Sequence, residues 1–376
     1  MAEKPENATT EKTTAEVLVD CLKAEGVRIV FGIPGEENLD LMFALKKAGV
    51  RFIPTRHEQG AAFMADVYGR LTDHAGVCLA TLGPGATNLV TGVADAFLDG
   101  APLVAITGQV SSELMQLTSH QYLDLSAMFS PITKRSKVVM RPDTVAEITR
   151  LAFKYAETPK PGATHIDLPK NVAHMPSPAC PLRRQQAPAL YADPASVIEA
   201  ARLISQAKNP LILAGAGAVR AGAAEAVRSM AERLHIPVVQ TMMGKGIVPW
   251  DCPWRLGVVG IPQHDYIIDA FDQADLVIGV GYDLIECAPK KWHTHKMKIV
   301  NISGLPADVN QLYEPDVEVT GDISDSIYQI LRTARRDDKP EPDGLLAVGQ
   351  RLREDFEQLS SSDAYPMKPA RILADV

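Results

Sequence analysis

The sequence predicts an α/β protein made of two consecutive doubly wound parallel-sheet domains. Short apolar runs alternate with stretches of helical periodicity, and the alternation starts afresh after a proline-rich segment. Size agrees, since 376 residues exceed one typical domain and suit two, with part of a third.

Residues 1–12 are polar and aperiodic, which predicts a disordered lead. Thr14 is the expected cap of a helix that Gly26 ends, with Val17, Leu18, Cys21 and Leu22 at helical spacing. Buried strands are expected at 29–31, 52–55, 77–82, 103–107 and 165–168, and helices near 38–48, 58–71, 86–98 and 144–157. In such sheets ligands bind outside the carboxyl ends of the strands. Four unusual stretches fall there: Phe31-Gly32-Ile33-Pro34-Gly35-Glu36, Arg56-His57-Glu58-Gln59, Leu82-Gly83-Pro84-Gly85-Ala86-Thr87-Asn88, and Thr107-Gly108-Gln109.

Prolines and lack of period make 176–192 a linker between a first domain, 13–175, and a second, 193–336. The second domain is expected to contain helices at 194–206 and 220–234 and strands at 210–214, 237–241, 276–280, 298–302 and 317–319. Residues 337–343 read as another linker and 345–359 as a helix.

A content of 46% hydrophobic and 22% charged residues describes a soluble globular protein, and cytoplasm is the default location. No apolar run approaches the roughly 18 residues of a membrane span. A net charge of −8 without a basic stripe argues against nucleic acid. Cys21, Cys78, Cys180, Cys252 and Cys287 are scattered, so buried, reduced thiols are expected. His293 and His295, in Trp-His-Thr-His, lack neighbouring ligands and read as a polar loop rather than a metal site.

Glu58 by itself reads as an acid in a first helical turn, stabilised by the helix dipole. Its neighbours change that reading. Arg56-His57-Glu58-Gln59-Gly60-Ala61-Ala62, flanked by the Pro34-Gly35 and Gly83-Pro84-Gly85 turns, resembles the pyrimidine-binding domain of thiamine diphosphate enzymes. The resemblance implies that Glu58 hydrogen-bonds N1′ of the aminopyrimidine. It thereby promotes the imino tautomer that takes the proton from thiazolium C2, a role suited to a water-poor pocket. It also implies that Pro34, Gly35, Gly83, Pro84, Gly85, Thr87 and Asn88 line the cofactor site. Glycines there permit close approach, and Pro84 restrains the turn.

Thr118-Ser119-His120-Gln121 and Leu168-Pro169-Lys170-Asn171-Val172 are similar to segments of acetolactate synthases, with Asn171 in place of the usual Asp. That likeness implies that Gln121 faces the reaction centre and that Lys170, near the substrate entrance, attracts the pyruvate carboxylate. Lys134 is a further candidate for that carboxylate, although a plain surface lysine remains as good a reading of both. Leu213-Ala214-Gly215-Ala216-Gly217 could be a dinucleotide turn, but Gly-x-Gly alone is weak. The run Val280-Gly281-Tyr282-Asp283-Leu284-Ile285-Glu286 is most similar to catabolic, flavin-independent acetolactate synthases, which implies no bound FAD.

These enzymes hold Mg²⁺ and the diphosphate with Gly-Asp-Gly and a later asparagine, whereas Gly321-Asp322 is followed by Ile323. Residues 337–376 therefore read as a linker and the start of a diphosphate-binding domain that does not follow, and no metal ligand is assigned. The expectation is a truncated chain, or a component completed by a homo-oligomer or partner chain and inactive alone. The activity implied is acetolactate synthesis from two molecules of pyruvate. Another thiamine diphosphate-dependent 2-oxo acid decarboxylase or oxidase, or a subunit that only binds a partner, remains open.

Overall fold

The computed structural model describes residues 12–185, 190–260, 266–293 and 295–376, which separate into two compact units, 1–187 and 188–376. The first holds strands β1 (Ile29–Gly32), β2 (Arg51–Pro54), β3 (Gly76–Ala80), β4 (Leu103–Gln109), β5 (Arg135–Val138) and β6 (Ala163–Pro169). All pair in parallel, in the order β2-β1-β3-β4-β6-β5. The second holds β7 (Pro210–Ala214), β8 (Val238–Thr241), β9 (Arg255–Val259), β10 (Leu276–Val280), β11 (Lys298–Ser303) and β12 (Val317–Thr320). These are parallel too, in the order β12-β11-β10-β7-β8-β9. Both domains are thus the doubly wound sheets that the alternating pattern predicts.

Central strands are buried along their whole length because helices cover both faces of a parallel sheet; β3, β7 and β10 are apolar throughout, whereas β4 and β6 bury Thr107, Gln109, His165 and Asp167 among apolar neighbours. Two strands escape the sequence pattern. β5, Arg-Ser-Lys-Val, is a polar edge strand, and β9 carries Gly257 with φ +158° beside a register shift. The expected helix at 220–234 is two, Ala216–Arg220 and Ala224–Leu234, broken around Gly222 at φ +60°.

The cap of the first helix, Thr14–Ala24, is Thr13 rather than Thr14. Thr13 accepts from Glu16 N while Glu16 accepts from Thr13 N, a reciprocal capping box worth about 1 kcal/mol. Thr14 is fully buried and donates instead to the carbonyl of Met175. Residues 1–11 of the expected lead lie outside the described residues, and Lys12 is held by Ser177 N donating to its carbonyl.

Four cysteines are buried, but Cys180 is exposed, because the segment around it is proline-rich and carries little that could cover a thiol. No described helix is long and apolar enough to cross a membrane.

Candidate active site

The order of the first sheet reverses between β1 and β3, since β2 lies on one side of β1 and the chain returns to the other. The crevice at that switch point is the expected ligand position. Two turns flank it: Ile33-Pro34-Gly35 after β1, and Thr81-Leu82-Gly83 after β3. Glu58 reaches the same rim as the first residue of the helix Glu58–Thr72, which follows β2. His57 caps this helix, its Nδ1 accepting from Gln59 N.

Glu58 is only 8% exposed. Asn88 Nδ2 donates to its Oε2 at 2.9 Å from the neighbouring helix Pro84–Leu98. These helices approach closely because small residues face each other: Ala61, Ala62 and Ala65 are fully buried, and a Cβ on Gly92 would stand 2.6 Å from Ala62 Cβ. The run Gly60-Ala61-Ala62 therefore serves helix packing, and that packing sets the Glu58–Asn88 distance.

The glycine turn completes the rim. Gly83 has φ +52°, a conformation that disfavours any side chain, and a Cβ there would meet the Gln121 carbonyl oxygen at 2.7 Å. A Cβ on Gly85 would lie 3.3 Å from Glu58 Oε1 and 2.9 Å from Thr81 Cγ2. Thr81 also abuts Gly35, and its hydroxyl donates to Glu37 Oε2 at 2.9 Å. Gly35, Glu58, Gly83, Gly85, Asn88 and Gln121 thus share one rim, with Pro34 and Pro84 exposed beside it.

Thr87, by contrast, is exposed, and its hydroxyl donates back to the carbonyl of Pro84. Lys170 comes to this rim through Glu36, at 2.6 Å, and that hydrogen bond raises its pKa. Lys134 does not. It lies at the amino end of β5, where its ammonium donates to the carbonyls of Thr158 and Lys160. Burial lowers that group to about 8, and its place away from the rim, bound to two carbonyls, corrects the expectation that Lys134 attracts a substrate carboxylate. Thr81 and Glu37 were missed because neither residue type nor spacing marks them. Only the adjacency of β1 and β3 brings them together.

Behind the rim runs a buried polar chain. Asp167 accepts from the Thr107 hydroxyl at 2.8 Å and from Gln109 Nε2 at 3.1 Å. His165 meets Thr107 through Nε2 and Ser136 through Nδ1, each at 2.8 Å, with Phe129 stacked on its ring. Burial pushes Asp167 up to about 7 and His165 down to about 3.

In the second unit the order reverses between β7 and β10, where a dinucleotide would place its phosphates. The carboxylate of Glu286 fills that position. It accepts from Ala216 N at 3.0 Å, from Asp283 N at 3.2 Å and from the Thr241 hydroxyl. A Cβ on Gly215 would stand 2.8 Å from its Oε1. Burial raises the pKa of Glu286, and the bonds from Thr241 and Ala216 oppose the rise.

His293 and His295 each contact a backbone carbonyl, of Leu312 and Ala274, and Thr294 between them lies outside the described residues. Among the described residues no three or more His, Cys, Asp or Glu side chains converge to hold a metal ion.

Residues 12–128 match the family described as thiamine pyrophosphate enzyme, N-terminal TPP binding domain, and residues 197–330 match its central domain. A catabolic acetolactate synthase of Raoultella terrigena is 35% identical over 382 residues, covering 100% of this chain and 68% of that protein. A probable acetolactate synthase large subunit of Methanocaldococcus jannaschii is 35% identical over 371 residues, covering 96% and 63%. An acetolactate synthase of Bacillus subtilis is 37% identical over 340 residues, covering 89% and 59%. The chain spans about three fifths to two thirds of the length of these relatives.

Proposed function

Because the chain belongs to the thiamine pyrophosphate-dependent acetolactate synthase family, we propose that it serves the condensation of two pyruvates and a proton to 2-acetolactate and CO₂. The observation that carries this reading is the state of Glu58: nearly buried, one oxygen fixed by Asn88, the other beside the bare Cα of Gly85. A flat, hydrogen-bonding heterocycle suits that cradle, since the absence of a side chain at Gly85 leaves Glu58 Oε1 uncovered on that side. When bound, thiamine diphosphate supplies a carbon nucleophile and an electron sink.

This chain's residues do the rest. Glu58 holds a proton at the pyrimidine N1′, and Asn88 fixes the orientation of its carboxyl. Gly83 and Gly85 let backbone approach the ring. Gln121, packed on Gly83, faces the reacting carbons, while Lys170, shared with Glu36, draws the 2-oxo acid carboxylate toward the rim.

Glu286 supports a second domain without flavin, because an acid already satisfies the amides that a phosphate would need. Mg²⁺ and the diphosphate are assigned to a further domain, of the same polypeptide or of a partner, in a cytoplasmic oligomer.

Product analysis tests this reading. The complete enzyme containing this chain, given pyruvate, thiamine diphosphate and Mg²⁺, is expected to yield acetoin after acid treatment. Acetaldehyde or acetate without acetoin would overturn it. Glu58→Gln should lower kcat by about 10²–10⁴-fold, the usual contribution of a positioned acid or base.

A further inference from the structure

We infer that Asp167, acting through Gln109, is a positioning residue for the loop that carries Gln121. Three observations converge. Gln109 and Asp167 are diagonal neighbours on adjacent parallel strands, where Asp167 pairs with Thr107 and Gln109 with Pro169, and both are fully buried. The amide nitrogen of Gln109 donates at 3.1 Å both to Asp167 Oδ2 and to the backbone carbonyl of Leu123, two residues beyond Gln121. Its amide oxygen accepts from Val110 N at 3.0 Å, which fixes which end of the amide faces which partner.

The other foot of the loop is pinned from the same strand–helix junction. Asn171 Oδ1 accepts from Ser112 N, and its Nδ2 donates to Ser112 Oγ and Glu113. Between these feet Gln121 adopts φ +56° with its carbonyl packed on Gly83. A strained residue that rests on a glycine turn holds its place only while the flanking backbone is held. The Gln109 bridge is that restraint on the downstream side.

Hydrogen-bond polarity makes the device specific. Asp167 Oδ2 accepts whether the carboxyl is ionised or carries its proton on Oδ1 beside Thr107, so Gln109 turns its NH₂ inward, where the same nitrogen also reaches Leu123. Asp167→Asn would keep the contact with Thr107 but set an NH₂ group against the NH₂ of Gln109. The Gln109 amide then flips or withdraws, and the Leu123 carbonyl loses its donor. Gln109→Glu removes the donor directly and puts a carboxylate against both Asp167 and the Leu123 carbonyl. Thr107→Val takes one hydrogen bond from the same Asp167 without touching the loop.

The consequence for substrate rests on the acetolactate reading, but the contact itself does not. Hydrogen–deuterium exchange of the purified chain therefore tests it without cofactor or substrate. Asp167→Asn and Gln109→Glu should each speed exchange at 117–124 at least roughly tenfold relative to the parent, a loss of about 1.4 kcal/mol in local opening. Thr107→Val should leave that loop within about twofold of the parent while loosening β4 and β6. Unchanged loop exchange in both clamp variants would overturn the inference, and so would equal acceleration by Thr107→Val, which would mark general destabilisation. A complete enzyme that yields no acetoin from pyruvate would sink the proposed function and leave this result standing.

Discussion

Replacing His165 by Gln should expose a pH dependence that the parent protein conceals. In the folded chain burial drives Asp167 up to about 7 from an ordinary 3.8, and His165 down to about 3 from 6.5. Between about pH 4 and 6.5 both side chains are therefore neutral when folded, whereas the unfolded chain carries a carboxylate and an imidazolium. The two states bind the same number of protons, and the pair contributes no slope. Each group alone is steep. Neutral His165 supplies stability that is lost as pH falls from 6.5, and protonated Asp167 supplies stability that is lost as pH rises from 3.8 toward 7.

Gln can bridge Thr107 and Ser136 without titrating, so the variant keeps only the Asp167 contribution. Its stability should then fall by about 1.4 kcal/mol per pH unit, or about 3 kcal/mol between pH 4.5 and 6.5, relative to the parent. Tryptophan fluorescence cannot follow this, because Trp250, Trp254 and Trp292 all lie in the other unit. Native-state hydrogen exchange at β4 and β6 amides, corrected for intrinsic rates, reads the correct domain. Parallel pH profiles for parent and variant would refute the reasoning, since they would mean that His165 and Asp167 do not titrate as an offsetting pair.

Three other perturbations are informative. Gly85→Ala puts a methyl 2.9 Å from Thr81 Cγ2, whose hydroxyl is tied to Glu37, so calorimetry should show a loss of about 1–2 kcal/mol. The same methyl would stand 3.3 Å from Glu58 Oε1, and thiamine diphosphate affinity measured by titration of the complete enzyme should fall roughly tenfold or more. Glu286→Ala strips the acceptor from Ala216 N, Asp283 N and the Thr241 hydroxyl, and should destabilise the second unit by about 2–4 kcal/mol in urea melts followed by tryptophan fluorescence. Asn171→Asp sets a carboxylate against that of Glu113, where Asn171 now donates at 3.3 Å. A loss of about 0.5–1 kcal/mol at low salt, shrinking at high salt, is expected because the pair is exposed.

Local and periodic information in the chain determined the fold class and the rim. Strands buried on both faces must be continuous apolar runs, so β3, β4, β7 and β10 announce themselves, and Gly83 and Gly85 mark a turn where a side chain would collide. β5 and β9 lack that signature, because one reads Arg-Ser-Lys-Val and the other is opened by Arg255 and interrupted by Gly257. Asn88 carries its spacing in the sequence, 30 residues from Glu58, but its bond to Glu58 depends on two helices packing through Ala62 and Gly92.

Partnership was decided by tertiary structure alone. Lys134 and Lys170 look alike in sequence, yet one sits at the amino end of the sheet bound to carbonyls and the other reaches the opposite rim. Glu286 gave no sign of filling a phosphate position 70 residues away, nor Asp167 and Gln109 of bracing a loop across 58. Burial explains the difference. Periodicity records which residues leave water, but which polar groups meet there depends on strand order, and every buried donor and acceptor must find its match in that arrangement.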